Sequence, residues 1–199
     1  PLAVWLYLHG DWRPSPLALG VTMASGAVHI VYFLLLLRGY RVGDLSLVYP
    51  VARGTGPLLA FGGALALFGE SLTPAALAGA LLIATGVLVL TAGAPIADRS
   101  KLAPGLRYGL ATGVLIATYT LWDGWAVKGA HIPPLLFYWG GEVTRVLLFT
   151  PAAMGQRDEI ARLWRDERPR VLGIALLSPL SYILILLAML VALTLLAGP

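Results

Sequence analysis

The chain has 199 residues, of which 58% are hydrophobic and 12% are charged, with a formal net charge of +4. Soluble domains carry about 25% charged residues, so half that share, together with apolar stretches of about 18 residues or more, indicates an exterior covered by lipid. The lack of cysteine excludes disulfides, thiol catalysis and cysteine-ligated metals. The positive charge lies in the links between apolar segments, so it indicates membrane topology and not nucleic-acid binding.

Apolar segments long enough to cross a membrane follow one another along the chain. The chain starts without Met or a signal peptide, and Leu2–Leu8 is typical of the tail of a helix leaving the membrane. Six further segments are predicted to be membrane helices: Leu17–Leu37, Leu45–Phe68, Pro74–Thr91, Leu106–Val127, Pro134–Met154 and Val171–Ala197. The predicted fold class is therefore all-α, a polytopic transmembrane helix bundle.

The longest link, Gly155–Arg170, carries five arginines and four acids. It is predicted to form a polar interfacial helix or loop that ends at Pro169. Arginine and lysine are concentrated in the links after the first, third and fifth spans, so the positive-inside tendency places those links in the cytoplasm. Two spans also repeat small residues at every fourth position, which gives a flat face for close helix packing: Gly56, Ala60 and Ala64, and Ala76, Ala80 and Ala84.

The first and sixth spans share a pattern at a fixed offset. Their small polar residue, helix breaker and ring side chain align as follows: Ser25 with Ser178, Gly26 with Pro179, and His29 with Tyr182. This match favours duplication over chance, and internal repeats are typical of secondary transporters, which bind substrate between two halves. At the same offset the counterparts of the second and third spans lie beyond residue 199, so we expect the chain to be part of a longer protein.

Residues Leu37–Gly93 contain a helix with a basic end, a helix with a central proline, a Gly69–Glu70 turn and a helix rich in Gly and Ala. This order resembles the closing half of an EamA repeat of the drug/metabolite transporter superfamily, and Ile116–Gly129 resembles the opening helix of that family's second repeat. The resemblance implies ten helices in two inverted five-helix repeats. Residues 1–93 then close the first repeat and residues 94–199 open a truncated second one, in a cell membrane, a bacterial inner membrane. It also implies a cytoplasmic start, which the loop charges oppose.

Charged groups inside a membrane cost about 2.5–3.5 kcal/mol each, so those within the spans are candidate functional residues. Arg53 lies between two prolines on the same helix face as Tyr49. A cation beside a broken helix suits an anionic or zwitterionic substrate. The alternative is a structural ion pair of Arg53 with Glu142 or Asp123.

The fifth span places Glu142 and Arg145 on one face with Tyr138. The acid and the base either neutralise each other on their own helix, or the carboxylate gains and releases a proton during transport. The sixth span contributes Ser178 and Tyr182 as the repeat counterparts of polar positions in the first.

In the fourth span, Tyr119 and Asp123 face the same way, with Trp122 beside them. These aromatics form either an interfacial belt or the lining of a cavity. In the first span, His29 belongs to a polar stripe with Thr22, Ser25 and Tyr32, which lines either a helix contact or a water-filled path. A structural histidine is the alternative to a proton carrier.

No phosphate-binding Gly-rich loop, Gly-x-Ser-x-Gly motif or His-Glu-x-x-His motif occurs in the sequence. We therefore predict a gradient-driven secondary transporter of a small metabolite, an exporter or permease, and not an enzyme. The predicted partners are a small-molecule substrate, the lipid bilayer and a coupling ion such as the proton, with no cofactor, metal or nucleic acid. The alternatives are an intramembrane lipid-modifying enzyme and a non-transporting membrane scaffold.

Overall fold

The computed structural model describes residues 13–69, 72–93, 99–177 and Leu180. These residues are helical apart from short links, which confirms the predicted all-α class. The helices with defined bounds are α1 (Pro16–Val42), α2 (Leu45–Phe68), α3 (Pro74–Ala92), α4 (Leu102–Lys128), α5 (Pro134–Met154) and α6 (Arg157–Asp166), with a 3-10 turn at Arg99–Lys101. Residues 168–177 are helical as well.

The positions predicted for the first five spans are confirmed as helices. α2 and α5 have the predicted bounds, and α1, α3 and α4 extend one to five residues further at one or both ends. Leu2–Leu8 and most of Val171–Ala197 lie outside the described residues. The prediction for Pro169 was wrong. α6 ends earlier, at Asp166, and Pro169 lies in the first turn of the following helix, where its missing N–H leaves no hydrogen bond unmade.

Side-chain caps explain where three of these helices begin. Ser15 accepts a hydrogen bond from the backbone N of Ala18 at the start of α1 (3.1 Å), and Thr73 accepts one from Ala76 at the start of α3 (3.2 Å). Each of these two caps is followed by proline at the first helical position, which is pre-set for helix geometry. Asp44 caps α2 in the same way through the N–H of Ser46 (3.0 Å).

The chain divides into two units, Pro1–Arg145 and Val146–Pro199, and the boundary lies within α5. In the first unit α2 packs most extensively on α4, followed by α1 on α4 and α3 on α2. The packing of α2 on α4 crosses the predicted repeat boundary after residue 93. The assignment of residues 1–93 and 94–199 to two repeat halves stays a prediction.

Glycines on α4 allow α2 to approach closely. A Cβ at Gly109 would lie 2.9 Å from Val51 Cγ1, and a Cβ at Gly113 would lie 3.2 Å from the backbone N of Gly56. On the α2 side, a Cβ at Gly56 would lie 2.5 Å from Ile116 Cγ2. Small residues are therefore needed on both helices of this crossing. Gly56 was predicted to lie on a packing face, whereas the glycine spacing on α4 was not recognised.

Two apolar clusters form the core of the first unit. Leu36, Val48, Ala52 and Ile116 meet where α1, α2 and α4 come together. The second cluster joins the other end of the α1–α4 contact to the start of α5, and its buried members are Ala18, Val21, Ala126, Ile132 and Phe137. The stretches of α1 and α4 between these two clusters carry polar side chains.

Among the described helices, α1 and α3 are long and apolar enough to cross a membrane. α3 has no buried residue, and Leu82 and Leu88 are 74% and 69% exposed. Its half-buried positions include Ala76, Ala80 and Ala84, the face that the small-residue spacing predicts for packing.

Candidate functional site

A polar cluster joins α1 to α4 between the two apolar clusters. Ser25 Oγ donates a 2.6 Å hydrogen bond to Asp123 Oδ1, and His29 Nε2 lies 3.8 Å from the other carboxylate oxygen, Oδ2. Ser25 is buried, while the side chains of His29 and Asp123 are 19% and 29% exposed. The cluster is thus largely shielded from solvent, while His29 and Asp123 remain partly accessible.

The His29 ring is held by its own helix and by α4. Its Nδ1 lies 2.9 Å from the Ser25 carbonyl oxygen. Because a carbonyl oxygen only accepts, Nδ1 carries the hydrogen and donates it. The ring lies against the Tyr119 ring with centroids 4.1 Å apart, and Tyr119 in turn meets Tyr32 edge-on at 5.4 Å.

Helical spacing brings these groups together. Ser25, His29 and Tyr32 recur every three or four residues on α1, and Tyr119 and Asp123 are four residues apart on α4, so each set lies on one face. The polar stripe of the first span therefore lines a helix contact, one of its two predicted roles.

Trp122 belongs to the same contact. Its Nε1 donates to the Val21 carbonyl oxygen on α1 at 3.0 Å, and its ring lies 5.7 Å from that of Trp125. About a third of the Trp122 residue is exposed, 37%. Trp122 is therefore bonded to α1 and still partly exposed, which is compatible with either an interfacial belt or a cavity wall.

α5 approaches α1 through small residues. A Cβ on Gly26 would lie 2.8 Å from Thr144 Cβ, and a Cβ on Gly140 would lie 2.8 Å from Thr22 Cγ2. Two small-residue pairs, each four positions apart, thus face each other across the helices. This close approach brings the segment of α5 from Gly140 to Thr144 beside α1, next to the polar cluster.

Glu142 and Arg145 form an ion pair on α5, which is one of the two roles predicted for them. Arg145 Nη2 binds Glu142 Oε1, and Arg145 Nε donates to Oε2 at 3.4 Å. Both groups also interact electrostatically with His29. Tyr138 lies half-buried one turn before Glu142 on the same helix.

Arg53 lies elsewhere, on the exposed side of α2. Its guanidinium carbon is 5.7 Å from the centroid of the Tyr49 ring, a cation–π contact. Within the described residues Arg53 forms no ion pair with Asp123 or Glu142, so the structural-pair alternative was wrong. The tyrosine and the arginine share a face, as the spacing predicted.

An open cavity of about 1110 Å³ adjoins Tyr49 at the link between α1 and α2. Its polar lining comes from Tyr40, Asp44, Ser46 and Tyr49, and α3 contributes Leu90. Tyr40 also interacts electrostatically with Arg53 and Tyr32. Tyr32, Tyr40 and Tyr119 all pack on the same apolar cluster, so tyrosine rings extend from the cavity to the polar cluster.

The predicted site residues thus fall into three groups. His29, Tyr119, Trp122 and Asp123 lie together at the α1–α4 contact, Tyr49 and Arg53 lie by the cavity, and Tyr138, Glu142 and Arg145 lie on α5. Ser178 and Tyr182 lie outside the described residues. Within those residues no three His, Asp or Glu side chains are grouped to hold a metal ion. The sequence did not indicate that Ser25 bonds Asp123, because the two residues are 98 positions apart and spacing informs only within one helix.

Comparison with known proteins identifies no relative: no family model, no curated protein and no solved structure matches the chain. The resemblance to the EamA family stays a prediction carried by the sequence pattern alone.

Proposed function

We propose that this chain forms part of a membrane-embedded secondary transporter for a small solute. The observation that carries the proposal is the contact of His29 with Asp123 on neighbouring helices, one of which is apolar enough to cross a membrane. Ionisable groups at such positions are costly and mark substrate or ion pathways. In the proposed topology α1 to α5 all cross the bilayer, within the ten-helix arrangement that the sequence pattern implies.

Exposed apolar surface supports the membrane setting. The outward positions of α3 are leucine and valine, and a continuous apolar face of this kind is rarely left in water. In the second unit, α6 carries Ile160, Leu163 and Trp164 on one face, each close to half exposed, with charged residues around the rest of the helix. Such a helix suits the plane of a membrane interface.

The cavity supports a polar, zwitterionic solute, because the Asp44 carboxylate belongs to its lining and would oppose a purely anionic one. A volume of about 1110 Å³ accommodates a small metabolite, and Arg53 stands beside its wall without a carboxylate partner in the described residues. A guanidinium presents a fork of donors that matches a carboxylate. Tyr40 and Tyr49 add hydroxyl groups that can fix the solute's orientation.

The competing function is that of an intramembrane enzyme, because Ser25, His29 and Asp123 are the residue types of a hydrolytic triad. In that triad the serine hydroxyl bonds to histidine and the aspartate orients the opposite ring nitrogen. Here the Ser25 hydroxyl donates to Asp123 at 2.6 Å. Its oxygen also lies 3.4 Å from His29 Nδ1, but that nitrogen lies closer to the Ser25 carbonyl oxygen, at 2.9 Å, and donates to it. Ser25 is also only 4% exposed, so a substrate has no access to its oxygen. This arrangement favours transport over hydrolysis.

Solute flux in liposomes tests the proposal. The protein containing this chain is reconstituted, and uptake of labelled amino acids and short carboxylic acids is measured with and without a pH gradient. We expect flux of at least one solute above protein-free liposomes. Arg53→Gln is expected to lower it about tenfold or more, because an anionic group loses its charge-assisted hydrogen bonds.

Arg165→Gln is the matched control, since Arg165 is exposed on α6, donates to the Ala161 carbonyl of its own helix and does not belong to the cavity lining. It should retain flux within about twofold. If folded protein moves none of these solutes, the transporter proposal fails. Release of fatty acid or headgroup from the liposome lipid would instead support the enzyme, and an inert, stably inserted protein would support the scaffold.

A further inference from the structure

We propose that His29 and Asp123 together bind one exchangeable proton, and that this proton is the coupling ion. Its use in coupling rests on the proposed transporter function, whereas the binding of the proton does not. The site consists of two acceptor atoms on different helices, His29 Nε2 and Asp123 Oδ2, that face each other across 3.8 Å.

The hydrogen bonds around the pair leave these two atoms facing each other. His29 Nδ1 gives its hydrogen to the Ser25 carbonyl, so in the neutral ring Nε2 is a bare lone pair. Asp123 Oδ1 accepts from the Ser25 hydroxyl, so the second oxygen is the one turned toward the ring. Without a further proton, two lone pairs therefore oppose each other. One proton on either atom converts the repulsion into a hydrogen-bonded or ionic attraction.

Within the described residues Asp123 forms no ion pair with arginine or lysine, although Arg145 acts on it electrostatically. The acid on α5, Glu142, already has Arg145 as its ion-pair partner. On α2, Arg53 lies over Tyr49. Asp123 is thus paired with histidine, the side chain whose unperturbed pKa lies nearest to neutral pH, and the net charge of the pair depends on its proton occupancy. A carboxylate paired with arginine stays ionised, whereas the net charge of the His29–Asp123 pair changes when the pair gains or loses a proton.

Every helix packed against the pair contributes groups that affect its charge. Tyr119 of α4 lies against the His29 ring, and Tyr32 of α1 lies against Tyr119. Glu142 and Arg145 of α5 act on His29 with opposite signs, so their fields partly cancel there. Arg53 of α2 acts electrostatically on Tyr119.

Packed tyrosine side chains connect the His29–Asp123 pair to the cavity, so a change in the charge of the pair can affect the cavity. Both side chains retain some exposure, which allows the proton to exchange. Tyr119, Tyr32 and Tyr40 pack on one apolar cluster, and Tyr40 lines the cavity. A shift of His29 toward Asp123, from 3.8 Å to a hydrogen-bond distance of about 2.8 Å, would move the stacked Tyr119 ring with it.

Nitrogen NMR of ¹⁵N-histidine-labelled protein tests proton binding without need of a solute. The 199 residues hold three histidines, and His29→Gln identifies the signals of interest. We expect the Nε2 signal of His29 to change between its bare and protonated positions from about pH 4 to about pH 9, while Nδ1 stays protonated. Asp123→Asn is expected to displace the midpoint by about one unit or more, because the imidazolium loses its carboxylate partner. Asp158→Asn on α6 serves as the control and should leave it in place.

A Nε2 signal that stays constant over this range in the unaltered protein would overturn the inference, and this result requires no variant to fold. The flux assay tests coupling. His29→Gln and Asp123→Asn should abolish the stimulation of uptake by a pH gradient, whereas Asp158→Asn on α6 should retain it. Stimulation that persists in both variants overturns coupling and leaves the transporter standing. If His29 titrates but the protein moves no solute, the proton site is supported and the transporter proposal fails.

Discussion

The hydroxyl of Ser25 and the carboxylate of Asp123 are joined by a 2.6 Å hydrogen bond that links α1 to α4. The residues are 98 positions apart, and the bond lies between the two apolar clusters of the first unit. It fixes one carboxylate oxygen and turns the other toward His29. A single serine thus contributes both to helix packing and to the geometry of the proposed proton site.

Replacing Ser25 with alanine should destabilise the protein by about 1.5 kcal/mol. Hydrogen bonds between membrane helices average about 0.6 kcal/mol with a maximum of about 1.7. The upper part of that range applies here because the acceptor is a carboxylate and the donor is buried. The measurement is the free energy of unfolding in mixed micelles at increasing SDS fraction.

Thr118→Ala is the matched control for Ser25→Ala. It also removes a hydroxyl, but Thr118 is exposed and bonds only to the Val114 carbonyl of its own helix, at 2.8 Å. Its effect should stay within about 0.5 kcal/mol. Equal losses in the two variants would show that the bond between Ser25 and Asp123 contributes nothing specific.

The local features of this fold follow from the sequence, whereas its contacts do not. The starts of α2 and α5 can be predicted from the sequence, because Asp44 is an N-cap residue for α2 and Pro134 suits the first position of α5. The Glu142–Arg145 pair is predictable because i,i+3 spacing places both groups on one face. The pairing of α4 with α1 and α2 depends on which helices meet, and within-helix periodicity carries no information about that.

The same distinction explains the outcome for Arg53. Its position within an apolar segment indicated an unusual charge, and its spacing from Tyr49 predicted their shared face. Whether Asp123 or Glu142 lay opposite depended on the rotation of three helices about their axes. The glycines of α4 set that rotation by allowing Val51 and Gly56 to come close, and their spacing within α4 does not reveal which helix they receive.

Gly56→Ala should weaken the contact between α2 and α4. The added methyl would lie 2.5 Å from Ile116 Cγ2 and 2.7 Å from its Cβ, so Ile116 or a whole helix has to move. Overpacking of this kind costs about 1–3 kcal/mol. The same denaturation measurement provides the value.

Gly62→Ala is the control on the same helix, because nothing lies within 4 Å of the added methyl. Alanine is the better helix former, so stability should be unchanged or higher. If Gly56→Ala is as harmless as Gly62→Ala, the close approach of α2 to α4 is contradicted.

Asp44, in the link between α1 and α2, should make stability fall in acid. The Ser46 hydroxyl donates to its carboxylate at 2.6 Å and the Ser46 backbone N–H at 3.0 Å, and these bonds lower the pKa of Asp44. A lowered folded-state pKa means that the folded protein favours the ionised form. The stabilisation is therefore complete above the ordinary aspartate value of about 3.9 and is lost as the pH falls through the folded-state pKa.

Unfolding measured between about pH 3 and about pH 7 checks this sign. Asp44→Asn keeps an oxygen that can cap α2 but does not ionise in this range, so this part of the acid loss should disappear. Asp158→Asn, at an exposed acid of α6, should retain it. If the stability of Asp44→Asn falls in acid just as that of the unaltered protein does, Asp44 is not the cause of the acid loss.

The apolar face of α6 should lie against lipid. Because the 199 residues contain no cysteine, Leu163→Cys and Asp158→Cys each introduce a unique thiol for a fluorescent label in a cysteine-free background. The two positions lie about 140° apart around the helix, so they report on different sides. In liposomes the label at 163 should be quenched by brominated lipid and the label at 158 by iodide in water. If iodide quenches both equally, α6 stands in solvent and its exposed Ile160 and Trp164 need another partner. Because α6 belongs to the second unit, that result would leave the proposal for the His29–Asp123 pair unaffected.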